Sequence, residues 1–454
     1  MGLRFWGFLI GVAFAFHGVA ASPAASASAE IKVESHLLTN GMKLLIHEDH
    51  SIPSVVLYVF YKIGSRNEGP GRTGLSHFFE HMMFNGAKKY GPKEFDRVME
   101  AAGGANNAYT DQDVTVYQDW FPTSATELIF DMERDRIQNL AFVPAIIESE
   151  RNVVASERRT SVEANNGGLL DEQLWATAYV AHSYQWPVIG WMSDIEHWTM
   201  ADLKHHFEMG YAPNNAITVV AGDIKASEAL ALAERYLQPI SPRSPPPPVT
   251  TEEPEQMGER RLKVVKFAQL PILEIAYHIG KTADPDYYPL RMLQTILFFG
   301  QSSRLYLRLV DHDQVAIAID GGMKFALDPT LFSIFVQPKE NVPVEKVEAT
   351  LYDELKKLQT QPVSDRELAK ARNALLASFY RQLKTIDGKA HALGNYELFL
   401  GDYRKLFSAA AEYEKVTAAD IQRVARQYFK ESNRTVAVLI PEKEDSQQGR
   451  EVTK

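Results

Sequence analysis

Seven prolines fall between Pro239 and Glu255: Pro239, Pro242, Pro245 to Pro248 and Pro254. Neither a helix interior nor a central strand tolerates such a run, because each proline removes a backbone donor and fixes φ. The stretch reads as an extended linker over 239–259. It leaves two parts of similar length, 31–238 and 260–442, each of ordinary domain size.

Both parts follow the same grammar. Apolar strands open each: Leu44 to Ile46 and Val55 to Tyr61 in the first, Ile272 to His278 in the second. A helix follows, Gly74 to Phe84 in one and Tyr288 to Phe298 in the other. Long charged amphipathic helices come next: Ser124 to Leu140 and Ile146 to Glu163, then Val344 to Thr360 and Asp365 to Leu383. Each part closes on a helix paired with a strand, Ala216 to Ala221 with Ala226 to Tyr236, and Ala418 to Phe429 with Thr435 to Ile440. The expected fold class is α+β: two similar domains, each an antiparallel sheet backed by helices, together forming half of a clamshell.

Arg4, the apolar run from Phe5 to Phe16 and the small residues Val19-Ala20-Ala21 read as a signal peptide over 1–21, followed by a flexible mature N-terminus over 22–30. The run is too short to span a bilayer comfortably, so no stable membrane span is expected after cleavage. A periplasmic or secreted location follows. Residues 443–454 read as a polar tail. A formal charge of −10 gives no support to nucleic-acid binding, which calls for a basic patch. The chain has no cysteine, which excludes disulfides and thiolate chemistry and leaves histidine and carboxylate as the only strong metal ligands.

His77 and His81 are four residues apart, so a helix presents both imidazoles on one face. Glu80 lies beside them, placed to take a proton from a metal-bound water. Thr73 or Gly74 can start this helix and Asn85-Gly86 can end it. A bare H-x-x-E-H is a weak pattern, and two surface or core histidines on an amphipathic helix would look the same. A catalytic zinc site needs a third protein ligand. Glu150 and Glu157 are two helical turns apart on one face, so one could ligate while the other supports a histidine. On spacing alone a solvated helix face is the better explanation of the pair. The stretch from Ala108 to Trp120 partly alternates and reads as a strand, with an edge able to accept an extended peptide. His205-His206 reads as a solvated pair, His182 and Tyr184 as loop-shaping residues, and Trp186, Trp191 and Trp198 as packing residues.

Taken in order, several segments resemble the pitrilysin-type metallopeptidases, the inverzincin family that includes the mitochondrial processing peptidase subunits. They are Ile63 to Glu68, Gly74 to His81, Phe84-Asn85-Gly86, Gly103 to Thr110, Glu150 to Arg159, Pro187 to Gly190, Tyr211 to Asn215 and Ser302 to Tyr306. The resemblance implies one Zn2+ per chain held by His77, His81 and Glu157, with Glu80 as the base and Glu150 as the supporting acid. It also implies a substrate edge at Asn107, Ala108 and Tyr109, with Asn107 near the cleaved bond. The implied activity is zinc endopeptidase cleavage of peptides or unfolded segments in a closed chamber. A non-catalytic peptide-holding or assembly subunit is the rival, and the intact Glu80 argues against it.

One segment departs from the family. Many relatives carry an Arg and a Tyr, seven apart, downstream of the S-S-R-L stretch. Counted from Arg304, Val310 stands at the Arg position and Ile317 at the Tyr position, while Arg308 falls two residues early. The expectation is a homologous partner subunit that supplies both side chains.

Overall fold

The computed structural model describes residues 31–442. The expected signal peptide, the 22–30 segment and the 443–454 tail lie outside the described residues. The first part contributes six strands: β1 (Glu34–Leu37), β2 (Lys43–Glu48), β3 (Ser54–Tyr61), β4 (Ala105–Thr110), β5 (Thr115–Pro122) and β6 (Ala216–Gly222). Its helices are α1 (Leu75–Met82), α2 (Glu94–Ala101), α3 (Thr126–Asn139), α4 (Pro144–Arg158), α5 (Asn166–Ala178), α6 (Met192–His197), α7 (Met200–Gly210) and α8 (Ala226–Tyr236). The second part carries β7 (Arg260–Lys266), β8 (Ile272–Ile279), β9 (Ala316–Gly322), β10 (Thr330–Pro338) and β11 (Arg434–Pro441). Its helices are α9 (Tyr287–Phe298), α10 (Val344–Thr360), α11 (Asp365–Gln382), α12 (Ile386–Leu400), α13 (Lys405–Lys415) and α14 (Ala418–Tyr428). No helix or strand forms from 241 to 257, where the prolines lie.

The strands form two sheets, ordered β1-β2-β6-β3-β5-β4 and β7-β11-β8-β10-β9. Apart from β1, the two orders are the same when each part is counted from its own first strand, which is the topological signature of a duplication. The sheets are mixed rather than wholly antiparallel. β6 pairs with β2 in parallel and with β3 antiparallel, and β11 does the same between β7 and β8. The reason is geometric. Strands β2 and β3, like β7 and β8, run in opposite directions, and a last strand inserted between them must be parallel to one. The expected single strand from Ala108 to Trp120 is instead the hairpin β4–β5, broken at residues 111–114. β4 is one edge of the first sheet, with β1 at the other, and β9 is one edge of the second, with β7 at the other.

The helical layers are exchanged between the parts. Helix α5 buries Leu170, Leu174 and Ala178 against Ala276, Leu331, Ala437 and Leu439 of the second sheet. Helix α12 in turn buries Ala390, Leu393 and Tyr396 against Val56, Phe60 and Val219 of the first sheet. At Gly394 the helix comes so close that a β-carbon would stand 2.1 Å from the Phe60 ring. A polar cluster adds to the union: Arg66 pairs with Asp113 at 3.0 Å and with Asp328 at 2.9 Å, and the Leu327 N–H donates to Asp113 at 3.0 Å. His182 and Tyr184 belong to this cluster, on Asp328 at 3.1 Å and Asp113 at 2.6 Å. Besides shaping a loop, they fasten the β9–β10 connection to the first part.

Candidate metal centre

Helix α1 is fixed at its start by two carboxylates, as the positive end of a helix favours. Glu68 accepts from the N–H groups of Gly74 and Ser76, each at 2.6 Å, and burial pushes its carboxyl up to about 7 against those two bonds. Asp194 accepts from the Thr73 N–H at 3.1 Å and the Thr73 hydroxyl at 2.7 Å. Gly74 has φ of 88°, and a β-carbon there would stand 2.4 Å from the Ile189 carbonyl oxygen. Only glycine suits that conformation and that approach. Phe78, Phe79 and Met82 anchor the inner face in the core. His206 is buried against this helix, stacked on Phe79 and 3.0 Å from the Ser76 hydroxyl. This corrects the expectation of a solvated His205-His206 pair: adjacent residues on α7 face different sides, and only His205 is exposed. Burial lowers the His206 pKa to about 3, so the ring stays neutral.

The outer face of α1 carries His77, Glu80 and His81. Their rings bring the two histidines to a centroid separation of 4.9 Å. Across from them, α4 presents Glu157. His77 Nε2 lies 3.6 Å from Glu157 Oε1, and His81 Nε2 lies 3.4 Å from Glu157 Oε2. One ligand atom from each of the three residues falls within 4.8 Å of the others. Two ligands at zinc–ligand bond lengths on a tetrahedron are about 3.4 Å apart, so the donor set fits that ion in both spacing and chemistry. Glu150 sits one shell out: its Oε1 is 2.8 Å from His81 Nδ1, and its Oε2 accepts from Asn85 Nδ2 at 2.8 Å. The two glutamates, alike in spacing, differ in contact: Glu150 meets Nδ1 of His81, and Glu157 faces Nε2 of both histidines. Burial holds His77 neutral with a pKa near 4, whereas the bonds to Glu150 and Glu157 overcome burial at His81 and carry it up to about 9. Burial also raises Glu80, opposed by Thr110 and the His81 charge.

These groups open into a cavity of about 700 Å³ walled by both parts of the chain. His77, Glu80, Glu157, Tyr109 and Thr110 line one side, and Gln294, Gly321, Gly322 and Lys324 line the other. Of the expected substrate edge, Tyr109 borders the cavity, while Asn107 and Ala108 follow along β4 beyond that lining. Trp186, expected only to pack, also lines it. Neither Val310 nor Ile317 does. Val310 packs on the second core, Ile317 lies 51% exposed on β9, and Arg308 turns to Asp313 at 3.2 Å. Gln294, Lys324, Thr330 and Ser333 are the second part's polar side chains in the lining, and no motif marks them. In the repeated topology, α9 occupies the place of α1. There Arg291-Met292-Leu293-Gln294-Thr295 buries Met292 and Leu293 as His77-Phe78-Phe79-Glu80-His81 buries Phe78 and Phe79. The second part thus has neither the histidines nor the carboxylate, and the three-residue donor cluster is confined to the first part among the described residues.

The described residues form two repeated α+β units with one H-x-x-E-H cluster, in the first. Residues 43–190 match the family described as Insulinase (Peptidase family M16), and residues 197–375 match the Peptidase M16 inactive domain. The chain is 30% identical over 417 residues to the zinc protease PqqE of Helicobacter pylori, covering 90% of this chain and 93% of that one. It is 24% identical over 419 residues to a probable mitochondrial-processing peptidase subunit beta of Arabidopsis thaliana, covering 89% of this chain and 77% of that one. The crystal structure of a protease from Helicobacter pylori superposes with a TM-score of 0.88 at 28% identity, covering 90% of this chain and all of that one. The periplasmic protease PqqL from Escherichia coli shares the fold, with a TM-score of 0.75 at 20% identity over 92% of this chain and 48% of that one. The chain belongs to peptidase family M16.

Proposed function

We propose that this chain is a zinc endopeptidase that cleaves peptides or unfolded segments small enough to enter the cavity. The observation that carries the reading is the convergence of His77, His81 and Glu157 beside Glu80 in one cavity. His77 and His81 through Nε2 and Glu157 through its carboxylate would hold one zinc ion per chain. When bound, zinc supplies Lewis-acid polarisation of the scissile carbonyl and acidifies water. Glu80 takes the water proton and passes it to the leaving amine, a role suited to a carboxylate whose pKa is raised by burial. Glu150 fixes the His81 ring through Nδ1 so that Nε2 stays aimed at the site. The free edge of β4, with Asn107, Ala108 and Tyr109, receives the substrate main chain as an added strand.

The chain works with a homologous subunit. In support, the second part brings no Arg or Tyr from the Val310 and Ile317 positions to the cavity, and one relative is named as a subunit. Activity is placed in the periplasm or outside the cell: the apolar N-terminal run reads as an export signal, and one protein of the same fold is titled a periplasmic protease. Among the described residues no helix is long and apolar enough to cross a membrane. The test is hydrolysis of a quenched fluorescent peptide by the zinc-loaded protein and its Glu80→Gln variant. Loss of a general base should cost roughly a hundredfold or more in turnover while zinc and peptide binding persist. Adding a homologous chain that carries the Arg and Tyr should raise wild-type turnover by about a hundredfold, the scale of one oxyanion donor. Equal turnover in wild type and Glu80→Gln would refute the assignment of the base.

A further inference from the structure

The substrate-edge strand β4 is held from behind by the other part of the chain. Tyr109 borders the cavity, but its ring packs on the α12 face of the sheet, 6.1 Å from the His391 ring, and its hydroxyl lies 3.1 Å from His391 Nε2. Asn395 Nδ2 lies against the same ring, 3.1 Å from Nε2 and 3.2 Å from Nδ1, and donates to the His391 carbonyl at 3.0 Å. Burial lowers the His391 pKa, so the ring is neutral and its Nε2 can accept the phenol proton. One turn earlier on the same helix, Asp387 accepts from the Tyr58 hydroxyl and from Trp120 Nε1 at 2.6 Å, on strands β3 and β5. Helix α12 therefore grips successive strands of the first sheet, and Tyr109–His391 is its hydrogen bond to the strand at the edge. An edge strand has a partner on one side only and otherwise loses little by fraying. A template for strand addition must keep its N–H and C=O groups in register before the peptide arrives, because ordering it on binding would subtract from affinity.

We propose that His391 is a positioning residue for substrate binding: by holding the Tyr109 hydroxyl it keeps β4 pre-ordered as the template for the peptide main chain. This inference rests on the reading of β4 as the substrate strand. The site of control lies in the second part of the chain, on the face of the first sheet opposite the metal helix, and it touches neither the metal ligands nor the peptide.

The test measures the affinity of a fluorescent extended peptide for the zinc-loaded Glu80→Gln protein, so that binding is read without cleavage. Tyr109→Phe and His391→Ala, each added to Glu80→Gln, should weaken the peptide by about five- to tenfold, the worth of one neutral hydrogen bond. Zinc content should stay at the parent level. Tyr109→Phe removes only a hydroxyl and keeps the fold, which guards against misfolding of the His391 variant. The two substitutions combined should be no worse than either alone, since they break one bond. His391→Gln, whose amide can still accept from Tyr109, should recover most of the loss. Unchanged affinity in Tyr109→Phe, or losses that add, would overturn the inference. Peptides N-methylated at successive residues separate this from failure of the underlying reading. If no N-methyl group weakens binding, strand addition itself is wrong and the inference falls with it. If N-methylation weakens binding and Tyr109→Phe does not, only the inference falls.

Discussion

Replacing Glu150 should weaken the metal without abolishing its site. Its carboxylate meets His81 Nδ1 at 2.8 Å and is held there by Asn85, so it fixes the ring whose Nε2 faces Glu157 at 3.4 Å. In Glu150→Ala the imidazole loses both its orienting partner and the negative charge that makes it a better ligand. Losses of supporting partners of this kind typically cost 10- to 100-fold in metal affinity, or about 1.4–2.7 kcal/mol. Because Glu150 is only partly exposed, neither bulk water nor a neighbouring side chain replaces it at full strength. Glu150→Gln keeps an acceptor oxygen and loses the charge, so it should fall between wild type and Glu150→Ala. Glu157→Ala removes a donor facing both histidines and should lose more than either. Competition for zinc against a chromophoric chelator at fixed pH orders the three variants. The reasoning fails if Glu150→Ala binds zinc as tightly as wild type, or if it binds more weakly than Glu157→Ala.

Other outcomes follow from the same geometry. Glu274 is buried with Oε2 unpartnered, and burial, with Asp171 nearby, raises its pKa to about 8. The folded chain then keeps a proton that the unfolded chain releases, so this group lowers stability as pH rises from the ordinary glutamate range through about 8. Glu274→Gln should remove that slope and gain on wild type across the window, by at most about 5 kcal/mol at about 1.4 kcal/mol per pH unit; denaturation midpoints at pH 5 and pH 8 that shift together in both proteins would count against it. Gly74→Ala forces a β-carbon toward the Ile189 carbonyl at positive φ and should cost at least about 1–2 kcal/mol, seen as a lower thermal midpoint, together with weaker zinc binding as α1 shifts. Gly394→Val should separate α12 from the Phe60 ring and lower the midpoint by several degrees, and an unchanged midpoint would mean that the helix exchange stabilises little.

Much of the fold was legible because it is local. The helices bearing His77 and Glu157 announce themselves by apolar spacing, and the prolines mark where helix and strand stop. Insertion of β6 between β2 and β3 is not local, since it depends on which of several apolar strands finds a partner far along the chain. The exchange of α5 and α12 was hidden for the same reason. Helix α12 buries Ala390, Ala392, Leu393, Gly394, Asn395, Tyr396 and Leu398, almost all round, and a helix buried on every side does not say which sheet it covers. At the site, the four-residue histidine spacing directly implies a shared face. Glu150 and Glu157 repeat at two turns, so spacing alone does not tell them apart, whereas the distances to Nδ1 and Nε2 show that they touch different ring atoms. Gln294 and Lys324 line the cavity together with His77 and Glu80 of the first part, a meeting of distant residues that no short motif encodes.

Zinc stoichiometry measured by elemental analysis of the purified protein and its variants tests the central claim most directly. One zinc per chain in wild type and in Glu80→Gln, with most of it lost in His77→Ala, His81→Ala and Glu157→Ala, is the result this site predicts. Full zinc occupancy in Glu157→Ala, or metal retained after loss of either histidine, would contradict it.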